Sequence, residues 1–139
     1  MRTDFITTAV VATIDVALYA TKESAVNAKQ ICDRHGWTRR NCEVILQELA
    51  RAHVLKARRG PLGGYRIAPL AWRKTLADVG RVAIRTSRAT EKQEKTRNAE
   101  AALRFVALAE SSYWTQLERM TIEGAAAEAA IDPRYCASA

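Results

Sequence analysis

Apolar positions fall at helical spacing along most of this chain and break from it once. Phe5, Ala9, Val10, Ile14, Ala17 and Leu18 recur at three-, four- and five-residue spacings. That pattern predicts a helix over 4–20 with these side chains facing inward. A shorter helix is expected over 27–35. Asn27 and Gln30 are spaced as a capping box, Ile31 is the apolar anchor and Gly36 is the stop. Thr38 then caps a third helix over 39–51. Its apolar stripe is Cys42, Ile45, Leu46 and Leu49, and Arg39, Arg40, Glu43 and Gln47 lie on a stripe displaced around the axis. Two short helices joined at His35-Gly36-Trp37 form a helix-turn-helix.

The break comes over 54–68. Two runs of β-formers, 54–59 and 65–68, flank the turn chemistry of Gly60-Pro61-Leu62-Gly63-Gly64. This predicts a hairpin with a glycine-rich tip and basic flanks, a wing, which Pro69 ends. Thr75 caps a fourth helix with Leu76, Val79, Val82 and Ala83 inward. Residues 86–98 are polar apart from one alanine and read as a linker. Helical spacing returns over 99–118, where Ala102, Phe105, Val106, Ala109, Tyr113, Leu117 and Met120 form one seam. A seam this long in a small chain is most simply buried against a second copy. Thr121 starts a last, alanine-rich helix.

The fold class expected is therefore mainly α with a small β-hairpin. A winged helix-turn-helix domain (1–85) and a linker (86–98) precede a long C-terminal dimerisation helix and tail (99–139). With 139 residues, 48% of them hydrophobic, the chain can bury a real core. No apolar run approaches the ~20 residues that span a bilayer. Asp15 interrupts the N-terminal apolar stretch and no small-residue cleavage site follows, so a cytoplasmic protein without a membrane segment is expected.

Charge sharpens this picture. The net charge is +7, and residues 1–85 hold 15 Lys/Arg against 7 Asp/Glu, whereas 86–139 hold 7 against 8. A basic N-terminal part joined to a near-neutral C-terminal part fits a polyanion-binding unit carried by an assembly unit. A helix-turn-helix presents its second helix to base edges in the major groove. Thr38, Arg39, Arg40, Asn41, Glu43 and Gln47 are the candidate readers there. Arginine suits guanine, and glutamate accepts from cytosine. Lys56, Arg58, Arg59 and Arg66 are the candidate wing contacts, with Arg59 suited to a narrow minor groove. Gly63 and Gly64 serve the backbone, and Tyr65 is a hydrophobic brace.

No nucleophile–base pair, paired carboxylates or phosphate loop is present, so no enzyme is expected. Cys32, Cys42 and Cys136 are widely spaced and lack ligand geometry, so no metal is expected. Cys32 and Cys42 are either buried small hydrophobes or a thiol switch. His35 and His53 flank the third helix and are expected to cap it or touch phosphate. Trp37 and Trp72 read as packing residues, and Trp114 as interface packing or an effector-pocket wall.

Several segments together resemble the Rrf-two family of bacterial regulators, the IscR-, NsrR- and CymR-like repressors. The wing from Arg59 to Ala68 is similar to the family pattern R-G-x-x-G-G-Y-x-L-A. Ile14-Asp15-Val16-Ala17-Leu18, Cys42-Glu43-Val44-Ile45-Leu46 with Leu49, Thr75-Leu76-Ala77-Asp78-Val79 and Met120-Thr121-Ile122-Glu123 support it. The resemblance covers residues 1–125. It implies a homodimeric transcription regulator, a repressor, bound to a palindromic operator on double-stranded DNA. An unknown effector would be a further partner. Cluster-binding members carry three cysteines before the dimer helix, whereas residues 86–98 here hold no Cys or His. Thr8 stands where some members use a carboxylate ligand. The resemblance therefore implies a regulator with no iron–sulfur cluster as cofactor. His53 occupies a position where the family often has Gly. Two other readings keep the same fold: a thiol or small-ligand sensor, and a protein-interaction module without DNA specificity.

Overall fold

In a computed structural model the described residues are 2–88 and 111–131. Helix α1 (Arg2–Tyr19) leads into α2 (Ala28–His35) and α3 (Arg39–Arg51). The hairpin of β1 (Leu55–Arg58) and β2 (Gly64–Ile67) follows, antiparallel, pairing Leu55 with Ile67 and Arg58 with Gly64. A 3-10 helix (Pro69–Arg73) precedes α4 (Leu76–Arg88). Residues 111–118 are helical (α5), and α6 (Ile122–Ile131) completes the described chain.

The helix-turn-helix forms as its capping chemistry dictates. The Asn27 side chain accepts from the Gln30 N–H at 2.9 Å, and the Gln30 side chain accepts from the Asn27 N–H at 3.0 Å. Gly36 closes α2 at φ 67°, a left-handed geometry that glycine adopts without penalty. Thr38 occupies the N-cap of α3, but its side chain makes no capping bond, contrary to expectation. At the other end of α3 His53 takes φ 59°, so a side chain stands where glycine would be easier.

The core is continuous. Ile31, Leu46, Leu49, Val54, Val79 and Ile122 are fully buried in it. The expected inward stripes of α3 and α4 are both buried. The inward face of α1 is different. Ile6, Ala9, Ala12, Thr13, Asp15 and Val16 are its buried positions, while Phe5, Val10, Ile14, Ala17 and Leu18 are half-buried. Apolar residues surround most of α1, so spacing alone could not single out one face. Close approach of α4 and α6 selects the side carrying small alanines.

Three further connections lie outside the sequence pattern. Val26 pairs antiparallel with Tyr65, extending the hairpin by a third short strand contact (N–H to C=O distances 3.1 and 2.7 Å). Helix α4 runs to Arg88, through the expected start of the linker at 86. Thr75 and Thr121 form an antiparallel bridge: the Leu76 N–H donates to Met120 C=O at 2.8 Å and the Ile122 N–H to Lys74 C=O at 3.0 Å. Through it α6 returns to the N-terminal core, where Ile122 is wholly buried.

Candidate nucleic-acid interface

Helix α3 presents three faces. Cys42, Ile45, Leu46 and Leu49 face the core at 0–2% exposure. Arg40, Val44, Gln47 and Arg51 point outward and are exposed. Arg39 and Glu43 lie toward the wing and pair with each other, Nε to Oε1 at 2.7 Å. The Glu43 charge also acts on Tyr65 of β2 through space. It joins burial, the larger cause, in raising the Tyr65 hydroxyl's pKa. Helix α3 also packs against β1, so the wing stands beside it.

Some of the described cations are paired and others are not. Lys29, Arg34, Arg51 and Arg81, like Arg39, hold carboxylates. Arg40 on α3 and Lys56, Arg58 and Arg59 on the wing are exposed and have no ion-pair partner among the described residues. Exposed cations without carboxylates can neutralise phosphates and so release the counterions condensed on a nucleic acid. Asn41 is also exposed. It lines a cavity of about 670 Å³ beside α3 with Phe5, Arg40, Val44, Glu48, Arg85 and Thr86. Arg85, missed in the sequence, extends the basic surface onto α4. Arg66 sits differently from the other wing arginines. It is half-buried, and its Nε and Nη2 are shielded from solvent without a hydrogen-bond partner.

Other expected residues are placed as follows. Cys32 and Cys42 are buried and adjacent across the α2–α3 seam. Burial, then a hydrogen bond with the Cys32 thiol, pushes the Cys42 pKa up to about 12. His35 neither caps α3 nor faces outward. Its Nε2 lies 2.9 Å from Asp15 Oδ2 and its ring stacks on Trp37 at 4.7 Å. Trp37 and Trp72 pack against the core. Trp114, expected at an interface or an effector pocket, packs on its own α4. Its ring fills the space a Cβ at Gly80 would occupy, and the Arg81 guanidinium lies 5.7 Å from its centroid. Of the expected dimer seam, Tyr113 is exposed and Leu117 is half-buried against the chain's own core. Ala102, Phe105, Val106 and Ala109 lie outside the described residues, as does Cys136.

Comparison with known proteins adds to this geometry. The family profile described as "Rrf2: Iron-dependent Transcriptional regulator" matches residues 2–136. No curated protein sequence matches the chain. Among solved structures the chain is similar to T. potens IscR at 22% identity, covering 90% of this chain and 85% of that one, with a TM-score of 0.63. CymR, the global cysteine regulator of B. subtilis, is 21% identical over 89% of this chain and 94% of its own, with a TM-score of 0.65. Staphylococcus aureus CymR is 16% identical over 88% and 95%, also at 0.65.

Proposed function

Because the chain belongs to the Rrf2 family of DNA-binding transcription regulators, we propose that it acts as a cytoplasmic homodimeric repressor on a palindromic operator. The observation that carries this reading is the set of unpaired, exposed cations on α3 and the adjacent wing. Arg40 is aimed to take a guanine edge bidentately, and Gln47 lies on the same outward stripe. Arg39 and Glu43 reach bases after opening an exposed pair, which is worth about 0.3–0.5 kcal/mol. Lys56 and Arg58 hold phosphates and Arg59 enters the minor groove, so the wing positions while α3 specifies. Tyr113 is the described seam residue left for a second copy.

The family description names iron, and the donor set here does not fit a cluster. Among the described residues no group of three or more His, Cys, Asp or Glu could hold a metal ion. Cys42 is a buried thiol held in its protonated form, and residues 86–98 offer no Cys or His. The proposed regulator works without a cluster. In this reading Cys32 and Cys42 serve as core residues, and their burial supports that role over thiol sensing.

Selection of bound duplexes from a random pool tests the reading, with sedimentation measuring the oligomer. A palindromic consensus and a dimer are expected. Binding without sequence preference and with little salt dependence would instead favour a protein-interaction module.

A further inference from the structure

Val44 is 43% exposed, while the core-facing residues of the same helix are at 0–2%. At 100° per residue, Val44 lies about 40° from Arg40 and about 60° from Gln47 around the α3 axis. It is therefore the apolar member of the outward, otherwise polar stripe. Helix propensity does not account for it, and packing does so only in part, since Val44 stays 43% exposed although it lines a cavity with Phe5, Arg85 and Thr86. Its side chain is not buried, and a β-branched residue is a poorer helix former than alanine or glutamine. An exposed apolar group at the centre of a reading face is accounted for by an apolar group on the ligand.

The major groove offers one such group, the C5-methyl of thymine. The branched Val44 side chain is nearly fixed in χ1 within a helix, so its exposed methyls are held in one orientation. We propose that Val44 is a specificity-determining residue that reads a thymine through methyl contact, one step from the base taken by Arg40. This deepens the reading of α3 as the major-groove helix and rests on it.

The test is a double-mutant cycle across the interface. In the selected operator each thymine of a half-site is replaced singly by deoxyuridine, which removes the methyl and keeps the hydrogen-bonding edge. Wild type and Val44→Ala are titrated on each duplex, with thermal melts confirming that the exposed substitution leaves the fold intact. One thymine is expected at which wild type loses about fourfold in affinity, the ~0.8 kcal/mol of one buried CH2-sized group. Val44→Ala should lose the same on the parent operator and nothing more on the deoxyuridine duplex. If every thymine affects both proteins alike, Val44 is not a reader, although α3 remains one. If selection yields no consensus, the major-groove reading and this inference fall together.

Discussion

Asp15 and Arg34 form a two-point ion pair between α1 and α2. The guanidinium Nη2 and Nε reach Oδ1 and Oδ2 at 2.7 and 2.8 Å. Asp15 is 3% exposed, and Arg34 also lies over the Tyr19 ring at 4.2 Å. The bond to Asp15 is the main cause holding the Arg34 pKa above its usual value. This pair, with His35 beside it, locks the first helix of the helix-turn-helix to the scaffold. Arg34→Ala leaves a buried carboxylate with only His35, so a loss of about 3 kcal/mol is expected. Chemical denaturation of this variant against Asp15→Asn measures it. An unchanged midpoint in both would refute the locking role.

Arg40 and Arg59 should fail in different ways. Arg59→Ala is expected to weaken binding to all sequences and to lower the salt slope by about one. Arg40→Ala should cost about 1–3 kcal/mol and relax preference at one operator position. Titrations on operator and scrambled duplexes at several salt concentrations separate the two. Equal loss of specificity from both variants would contradict the division between wing and helix.

Cys42 should resist thiol reagents in the folded protein. Its pKa, pushed up to about 12 by burial, leaves almost no thiolate at pH 8. Ellman's reagent is expected to modify it on unfolding and not before. The raised pKa also sets a sign. The folded state keeps a proton that the unfolded state has released, so this contribution is full below about pH 9 and is lost as pH rises toward 12. The melting temperature of Cys42→Ala should therefore fall less steeply than that of wild type over that window.

Gly64 is where the wing meets residue 26. A Cβ there would lie 2.5 Å from the Val26 carbonyl oxygen, and its φ of 153° suits glycine. Gly64→Ala should cost about 1–3 kcal/mol. DNA affinity should fall with it, because Arg58 and Arg59 depend on that seat. A melting curve that overlays wild type would show that the backbone contact is dispensable.

These residues also show what the sequence could reveal. Helix α3 was legible to its ends because its polar and apolar stripes are distinct. The wing was legible because glycine and proline cluster between β-formers. The buried face of α1 was not, since apolar residues surround it. Asp15 appeared as a break in an apolar run; its partners lie 19 and 20 residues away, where no local spacing rule reaches. The seam over 99–120 revealed that a face must be covered, but periodicity does not say by which copy of the chain. Leu117 and Trp114 turn toward their own core and α4. The unpaired state of Arg40 against the paired state of Arg39 required coordinates.

The bridge between Thr75 and Thr121 has a consequence for how such a regulator can change. Helix α4 starts at this clasp, and the chain returns to it after α5. Helix α4 belongs to the core, so only the connection beyond it can be lengthened, at about 0.6 kcal/mol per doubling of length. Recognition helix and wing would keep their places throughout. The connection beyond α4 can therefore diverge in length while the arrangement of α3 and the wing is held constant.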